Sequence, residues 1–295
     1  MRVFISGASG LVGHHCKTVF EEALWPVMGT YFSFPVPGTV YYNTLEPNHP
    51  NNAPLLEFKP DVLVHCGALT HVDYCETNEE ESYQKTVQST LNIIQTARAC
   101  GAKIVYLSTD YVFDGQAGPY SETDTVNPLS VYAKHKLAAE QAVLQEPNSL
   151  VLRITNVYGT EVRNKNFVAR ILSQLAEGLP ITLKLPFDQY ATPVNAHDVA
   201  RALQLLLRDN QTGIFHIAST DWMNRVELAQ RVLHYFPQQA YTLETFSTNA
   251  LQQAAPRPLL GGLLKTKFSA LYPAFQFTNV DDFVKEQMAL KNQSV

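Results

Sequence analysis

Short, nearly continuous apolar runs alternate with longer stretches of helical spacing through the first half of the chain. Val3 to Ser6, Val27 to Phe32, Val62 to Cys66, Ile104 to Leu107 and Leu150 to Ile154 read as strands. Between them, Val12 to Trp25, Glu79 to Cys100 and Val131 to Gln145 read as helices, the second ended by Gly101, a residue suited to a helix C-terminus. Strands alternating with helices predict βαβ units and a parallel sheet covered on both faces, an α/β fold. Burial on both faces accounts for strands without a polar alternation.

The rhythm fails between Ser33 and Pro54, where five prolines (Pro35, Pro37, Pro47, Pro50, Pro54) predict a long surface loop or a weakly structured crossover. After Tyr158 it loosens. Helices are expected at Asn166 to Glu177, Ala196 to Arg208, Arg225 to Tyr235 and Val280 to Leu290, with short strands at Ile181 to Leu183 and Ile214 to Ile217. The reading is a main domain over residues 1–158, to which a segment near 190–220 returns, and a smaller lobe built mainly from 159–295.

Composition narrows the class. The 295 residues are 45% apolar and 17% charged, which suits a globular protein with a substantial core. A net charge of −5 argues against nucleic acid or an anionic membrane as partner. No apolar run approaches the ~18 residues of a membrane span, and "MRVFISGASG" lacks the long apolar region of a signal peptide. A cytoplasmic location is therefore expected. The four cysteines form no CxxC pair, and the spacing of His65, Cys66, His71 and Cys75 matches no common zinc pattern, so free thiols and no metal are expected.

Two motifs carry chemistry. Gly7, Gly10 and Gly13 in "ISGASGLVGHH" stand between the first strand and first helix, where backbone N–H groups and the helix dipole receive a pyrophosphate. A dinucleotide is the expected ligand. The segment Val27 to Phe34 offers no carboxylate for NAD ribose and no arginine for a 2′-phosphate. Thr30, Ser33, His14, His15 and Lys17 tolerate a phosphate and nothing acidic repels one, so NADP(H) is expected, with NAD(H) also accommodated. In "SVYAKHKLAAE", Tyr132 and Lys136 lie one helical turn apart on one face. An ammonium beside a phenol lowers the phenol from ~10 toward working pH, which makes Tyr132 a usable general acid or base.

With these motifs in place, the chain resembles the extended short-chain dehydrogenases/reductases. More narrowly, it is similar to the dTDP-4-dehydrorhamnose reductase family and its relative, the regulatory β subunit of methionine adenosyltransferase. The likeness runs through "SGASGLVG" (6–13), "GALTHVDYCE" (67–76), "STDYVFDG" (108–115), "PLSVYAKHKLAAE" (128–140), "LRITNVYG" (152–159), "NFVARIL" (166–172), "DQYATPVNAHDVA" (188–200), "GIFHIA" (213–218) and "RP" (257–258). It implies a Rossmann-type doubly wound sheet and a C-terminal lobe for a nucleotide sugar. It implies a catalytic trio of Thr109, Tyr132 and Lys136. The implied cofactor site comprises Gly7, Ser9, Gly10, Leu11, Val12, Gly67, Ala68, Tyr132 and Lys136, and the substrate site Thr70, Val72, Asp110 and Asn156. The implied activity is NAD(P)H-dependent reduction of a nucleotide-linked 4-keto-6-deoxy sugar. The class permits a homodimer.

The chain departs from the pattern in places. Asn156 stands where the reductases carry an aromatic residue, closer to the epimerases and dehydratases. Thr86 or a neighbour replaces an asparagine of the long helix, and Leu260 in "RPLLGGL" replaces another. Two alternatives therefore accompany the reductase: a non-catalytic NADP-binding regulatory subunit, and a nucleotide-sugar epimerase or dehydratase, for which Asp110 supplies the acidic neighbour of Thr109. His197 and Asp198 are expected to open a helix and His216 to pack in the core. Arg153 serves either a phosphate or an internal ion pair, while Asp73 and Glu76 are expected to stabilise a loop and a helix start. Asp188 and Gln189 either shape the lobe or only form a turn.

Overall fold

The computed structural model describes residues 1–46, 53–178 and 180–292. The strands, in chain order, are β1 (Val3–Ser6), β2 (Val27–Tyr31), β3 (Thr39–Tyr41), β4 (Val62–His65), β5 (Lys103–Thr109), β6 (Leu150–Ile154), β7 (Ile181–Pro186), β8 (Tyr190–Ala191), β9 (Gly213–His216), β10 (Met223–Asn224) and β11 (Tyr241–Phe246). The helices are α1 (Leu11–Glu22), α2 (Ala53–Phe58), α3 (Val72–Thr77), α4 (Glu79–Tyr83), α5 (Ser89–Cys100), α6 (Val131–Leu144), α7 (Phe167–Ala176), α8 (Ala196–Arg208), α9 (Arg225–His234), α10 (Thr266–Leu271) and α11 (Val280–Asn292).

Seven strands form one parallel sheet in the order β3-β2-β1-β4-β5-β6-β9. The strand order reverses between β1 and β4, and in such sheets ligands bind at that point, outside the carboxyl ends of the strands. Side chains alternate between two apolar layers. Val3 and Ile5, Val62 and Val64, Val105 and Leu107 face a core completed by Val19 and Phe20 of α1 and Leu203 and Leu206 of α8. Phe4, Leu63, Ile104 and Tyr106 face the opposite core, with Ile93, Ile94 and Ala97 of α5 and Ala139 and Val143 of α6. The continuous apolar runs in the sequence are the trace of this double burial.

The lobe has its own core, in which Val168, Ile171 and Leu172 of α7 meet Leu183 and Leu185 of β7, Leu228 and Val232 of α9, and Val280, Phe283 and Val284 of α11. Between segments of this core, α8 packs against the main sheet and β9 joins it at its edge.

Several elements escaped the pattern. The segment after Ser33 is not all loop: Thr39–Tyr41 forms the edge strand β3, paired to β2 on one side only. An edge position tolerates the flanking prolines because half of its backbone groups need no partner. Pro47 and Pro50 lie outside the described residues. β11 pairs with β7 in parallel, and β8 with β10 antiparallel, making two small sheets. The expected helix Glu79 to Cys100 is α4 and α5 joined by a π-helical turn, Gln84–Gln88, that places one extra residue in the turn. Gly101 ends it in the left-handed conformation (φ +66°), as expected.

Arg153 resolves as an internal ion pair. Its Nη2 and Nε donate to the two carboxylate oxygens of Glu140 at 2.5 and 3.1 Å, joining β6 to α6. The side chains are 3% and 1% exposed, and the guanidinium lies 5.1 Å from the ring of Phe113. His216 packs beneath it, fully buried, with Nδ1 3.0 Å from the Tyr120 carbonyl. Breaking one side of such a pair leaves a buried uncompensated charge, whereas removing both leaves none. Glu140→Leu is therefore expected to cost about 3–5 kcal/mol in urea unfolding, and Glu140→Leu with Arg153→Met much less. An equal loss in both would contradict this.

Candidate active site

The floor of the site is the glycine turn between β1 and α1. Gly7 adopts φ +81°, a region that favours glycine, and a Cβ there would lie 3.3 Å from the Gly67 nitrogen at the end of β4. At Gly13 a Cβ would sit 2.3 Å from the Gly7 carbonyl oxygen, so the first turn of α1 closes directly onto the loop. The Gly7 N–H points at Thr30 Oγ1 (3.4 Å), whose hydroxyl in turn donates to the Ile5 carbonyl (3.2 Å). A threonine of β2 thus braces the loop from below. The cradle and the open N-terminus of α1 fit a pyrophosphate.

At the end of β5 the chain turns into a 3₁₀ segment, Asp110–Val112. Thr109 Oγ1 caps it by accepting from the Tyr111 N–H at 3.2 Å. Asp110 is buried, yet its carboxyl is well supplied with donors. Thr155 Oγ1, just past β6, donates at 2.7 Å, the Gly262 N–H at 3.4 Å, and Thr109 Oγ1 at 3.3 Å. Burial raises its pKa, and these hydrogen bonds offset part of the rise. One side chain therefore ties the end of β5 to β6 and to the C-terminal loop.

Helix α6 is fixed at its start from two directions. Ser130 Oγ accepts from the Ala133 N–H (3.3 Å), and Glu76 of α3 accepts from the Val131 N–H (2.9 Å). Glu76 thus stabilises a helix start, as expected, but the helix is α6 rather than its own. Tyr132 in that first turn faces the cavity beside Tyr111, ring centroids 5.9 Å apart. Lys136, one turn on, is 4% exposed. Its ammonium donates to the Leu107 carbonyl and lies 4.1 Å from the Tyr106 ring centroid.

The structure corrects the expectation for Tyr132. Burial raises the phenol above its ordinary value, with Thr109 offsetting part of the rise and Lys136 not among the principal influences. The ammonium is turned to the strand carbonyl, so desolvation outweighs the charge–phenol attraction. The same desolvation lowers Lys136 to about 7, partly opposed by Glu140.

The glycine turn, Thr30, Thr109, Asp110, Tyr111, Tyr132, Lys136 and Thr155 line one cavity of about 850 Å³. It holds Gly7, Ser9, Gly10, Leu11, Val12, Gly67 and Ala68 at one end, and Thr70, Val72, Thr109, Asp110, Tyr132, Lys136 and Asn156 at the other. Of the groups suggested for a phosphate, Thr30 and Ser33 line it, whereas Lys17 pairs with Glu21 at 2.8 Å and His14 and His15 stay off its wall. Sequence reasoning missed Arg163, Lys165 and Arg225, which also line it. Each comes from a segment beyond Tyr158, and only the packing of the lobe reveals their position. Asp73 holds the C-terminal loop, accepting from Ala255 N–H and Arg257 Nη2 at 3.0 and 2.8 Å. Asp188 accepts from Thr248, and Gln189 donates to Thr248 and Gln253, so both shape the lobe. Among the described residues, no three His, Cys, Asp or Glu side chains gather in a metal-binding arrangement, and no helix is long and apolar enough to cross a membrane.

A buried lysine lowered to about 7 has a stability signature. Between that value and 10.5 the unfolded chain keeps the Lys136 proton and the folded one releases it. Stability therefore rises with pH across this window, by at most about 1.4 kcal/mol per pH unit. Below the window the penalty of burying the charge is fully present. The difference in unfolding free energy between the wild type and Lys136→Met is expected to shift toward the wild type from pH 7 to 10 and to stay flat below pH 6. A difference independent of pH would contradict it.

Comparison with known proteins agrees with this architecture. The chain is 32% identical over 241 residues to the methionine adenosyltransferase 2 subunit beta of Bos taurus, covering 80% of this chain and 72% of that one. It is 28% identical to the probable low-salt glycan biosynthesis reductase Agl14 of Haloferax volcanii, across the full length of both. A solved structure described as a hypothetical dTDP-4-dehydrorhamnose reductase from Sulfolobus tokodaii superposes with a TM-score of 0.81 at 28% identity, covering 96% of this chain and 99% of that one. The family model described as the RmlD substrate binding domain matches residues 1–288, and the chain belongs to that family of extended short-chain dehydrogenases/reductases.

Proposed function

We propose that the protein is an NADP(H)-dependent reductase of a nucleotide-linked 4-keto-6-deoxy sugar, acting in the cytoplasm. The observation that carries this reading is the convergence of Thr109, Tyr132 and Lys136 on one wall of a cavity whose other end is the glycine cradle. A reduced nicotinamide dinucleotide, when bound, supplies the hydride. The protein's part is to hold the keto sugar and to provide a proton. Tyr132 gives its phenolic proton to the carbonyl oxygen as charge develops there, and the Thr109 hydroxyl, turning its one hydrogen from Asp110, donates to the same oxygen. Burial keeps the phenolic proton on Tyr132, and its transfer is drawn by the much more basic alkoxide that forms as the hydride arrives. Lys136 holds the cofactor ribose, and solvent returns the proton to Tyr132. Thr70, Val72, Asp110 and Asn156 contact the sugar.

The bovine relative favours a second reading, a subunit that binds the dinucleotide for regulation without turnover. A nucleotide-sugar epimerase or dehydratase is the third reading. Of these the dehydratase is less favoured, because its acid would be Asp110, whose carboxyl is engaged by Thr155, Gly262 and Thr109.

Arg163 supports the preference for NADP(H). It lines the cavity with Tyr31, Phe32 and Ser33, and its guanidinium lies 5.0 Å from the Phe34 ring. It therefore stands beside the end of β2, where a cation accepts an adenosine 2′-phosphate.

Two outcomes follow. With a dTDP-4-keto-6-deoxy sugar the protein is expected to oxidise NADPH, and Tyr132→Phe to lose about 100-fold or more in kcat while still binding NADPH. Turnover undiminished by Tyr132→Phe would refute the assignment, and binding without turnover in the wild type would support the regulatory reading. In fluorescence titrations, Arg163→Ala should weaken NADPH about tenfold and NADH less than about twofold. Equal weakening of both would remove Arg163 from 2′-phosphate recognition.

A further inference from the structure

Arg225 opens α9 in the lobe, directly after Asn224, whose side chain accepts from the Val226 and Glu227 N–H groups and so fixes the helix start. From there its side chain reaches the cavity wall. Among the described residues its guanidinium has one polar contact, Nη2 donating to Asn156 Oδ1 at 2.6 Å, and that oxygen belongs to a neutral amide. One flank lies 5.0 Å from the Phe167 ring centroid. The remaining N–H groups have no protein partner among the described residues.

This is an unusual environment for a guanidinium. A charge withdrawn from bulk water is ordinarily compensated by an opposite charge. Here Tyr111 and Asp110 are the neighbours that attract the charge, while Arg170 and Arg257, as smaller influences, repel it. Arg257 is committed to Asp73, and its Nη1 is itself buried without a partner. Asp110 is the nearby carboxyl that attracts Arg225, and its oxygens are already engaged by Thr155, Thr109 and Gly262. Asn156 sits at φ +40°, a strained position for a residue other than glycine. Its side-chain oxygen accepts from the guanidinium and so aims it. The guanidinium is therefore aimed by Asn156, flanked by the Phe167 ring, and placed at the cavity wall with N–H groups that no protein acceptor takes among the described residues.

We infer that Arg225 is the anion anchor of the substrate end of the cavity, receiving negatively charged oxygens of the substrate, from a diphosphate bridge or a sugar carboxylate, on guanidinium N–H groups that Asn156 holds in position. The inference rests on the nucleotide-sugar reading of the site and adds the residue that selects the substrate's charge. It also explains the unexpected Asn156, because an aromatic residue at that position would offer Arg225 no acceptor. Arg is suited to this role because its planar fork meets two oxygens at once.

The test is equilibrium binding to the full chain loaded with NADPH, by calorimetry, with dTDP, thymidine, UDP-glucose and UDP-glucuronate as probes. Arg225→Gln is expected to keep NADPH affinity within about twofold and to lose at least about tenfold for the anion. If the diphosphate is the ligand group, the loss appears with dTDP and not with thymidine. If a sugar carboxylate is the ligand group, dTDP is unaffected and the preference for UDP-glucuronate over UDP-glucose disappears. Arg225→Lys, which keeps the charge but not the planar fork, should recover only part of either loss. The inference is overturned if neither loss occurs or if thymidine weakens in parallel. An independent readout needs no variant: phenylglyoxal modification of wild-type Arg225, followed by peptide mass spectrometry, should be slowed by the anionic probe and not by thymidine. An unchanged rate with every probe also overturns it. Neither measurement requires turnover, so a failed reductase assay and a failed anchor remain distinguishable.

Discussion

The buried carboxyl of Asp110 is the contact on which the geometry of the site depends. It stands just past the carboxyl end of β5, one strand removed from the point between β1 and β4 where the strand order reverses. By accepting from Thr109, from Thr155 beyond β6 and from the Gly262 backbone, it joins two neighbouring strands and the C-terminal loop. Burying a carboxyl is costly unless donors surround it, and three donate to this one. The cavity wall that holds Thr109 and Tyr132 is therefore braced by the protein's own hydrogen bonds. Glycine suits the position opposite: a Cβ on Gly261 would lie 3.0 Å from the Tyr190 carbonyl oxygen and 3.3 Å from the Asp110 oxygen that Thr155 holds, both closer than usual.

Around that contact, two kinds of polar burial serve different ends. The Arg153–Glu140 pair and His216 sit below the strand ends, satisfied by each other and by backbone, and they hold β6 against α6. Lys136 and Tyr132 are buried at the cavity wall, and desolvation pushes their pKa values in opposite directions, the lysine down and the phenol up. The first group serves structure. The second leaves Tyr132 holding its proton and Lys136 giving its proton up more readily, at the wall where the proposed reaction takes place.

Much of the fold was legible in the sequence because burial on both faces of a parallel sheet leaves an unmistakable apolar run. β1, β4 and β6 begin where the pattern begins, and Gly101 ends α5 for the reason a glycine should. β5 proved longer than its apolar core because Ser108 and Thr109 continue the ladder to β6 before the chain turns. Edge and lobe strands were less legible: β3 and β11 have mixed exposed faces and pair on a single side. The glycine turn and the Tyr132–Lys136 spacing placed the candidate site because each is local. Arg225 and Arg163 were invisible for the opposite reason, since their approach to the cavity is set by the packing of α9 and of the loop before α7. The direction of the Tyr132 shift was also beyond the sequence, because spacing shows that a lysine is near but not which way its ammonium turns.

At the centre of the proposed activity, hydride passes from the dinucleotide to the sugar while the protein supplies the proton. Isotope transfer from NADPH deuterated on the nicotinamide C4, read by mass spectrometry and NMR of the sugar product, tests this most directly. The expected result is one deuterium on the reduced carbon of the sugar, one equivalent of NADP⁺ formed, and no solvent hydrogen on any sugar carbon. Label retained on the dinucleotide, or solvent hydrogen incorporated at a carbon of the ring, would contradict it.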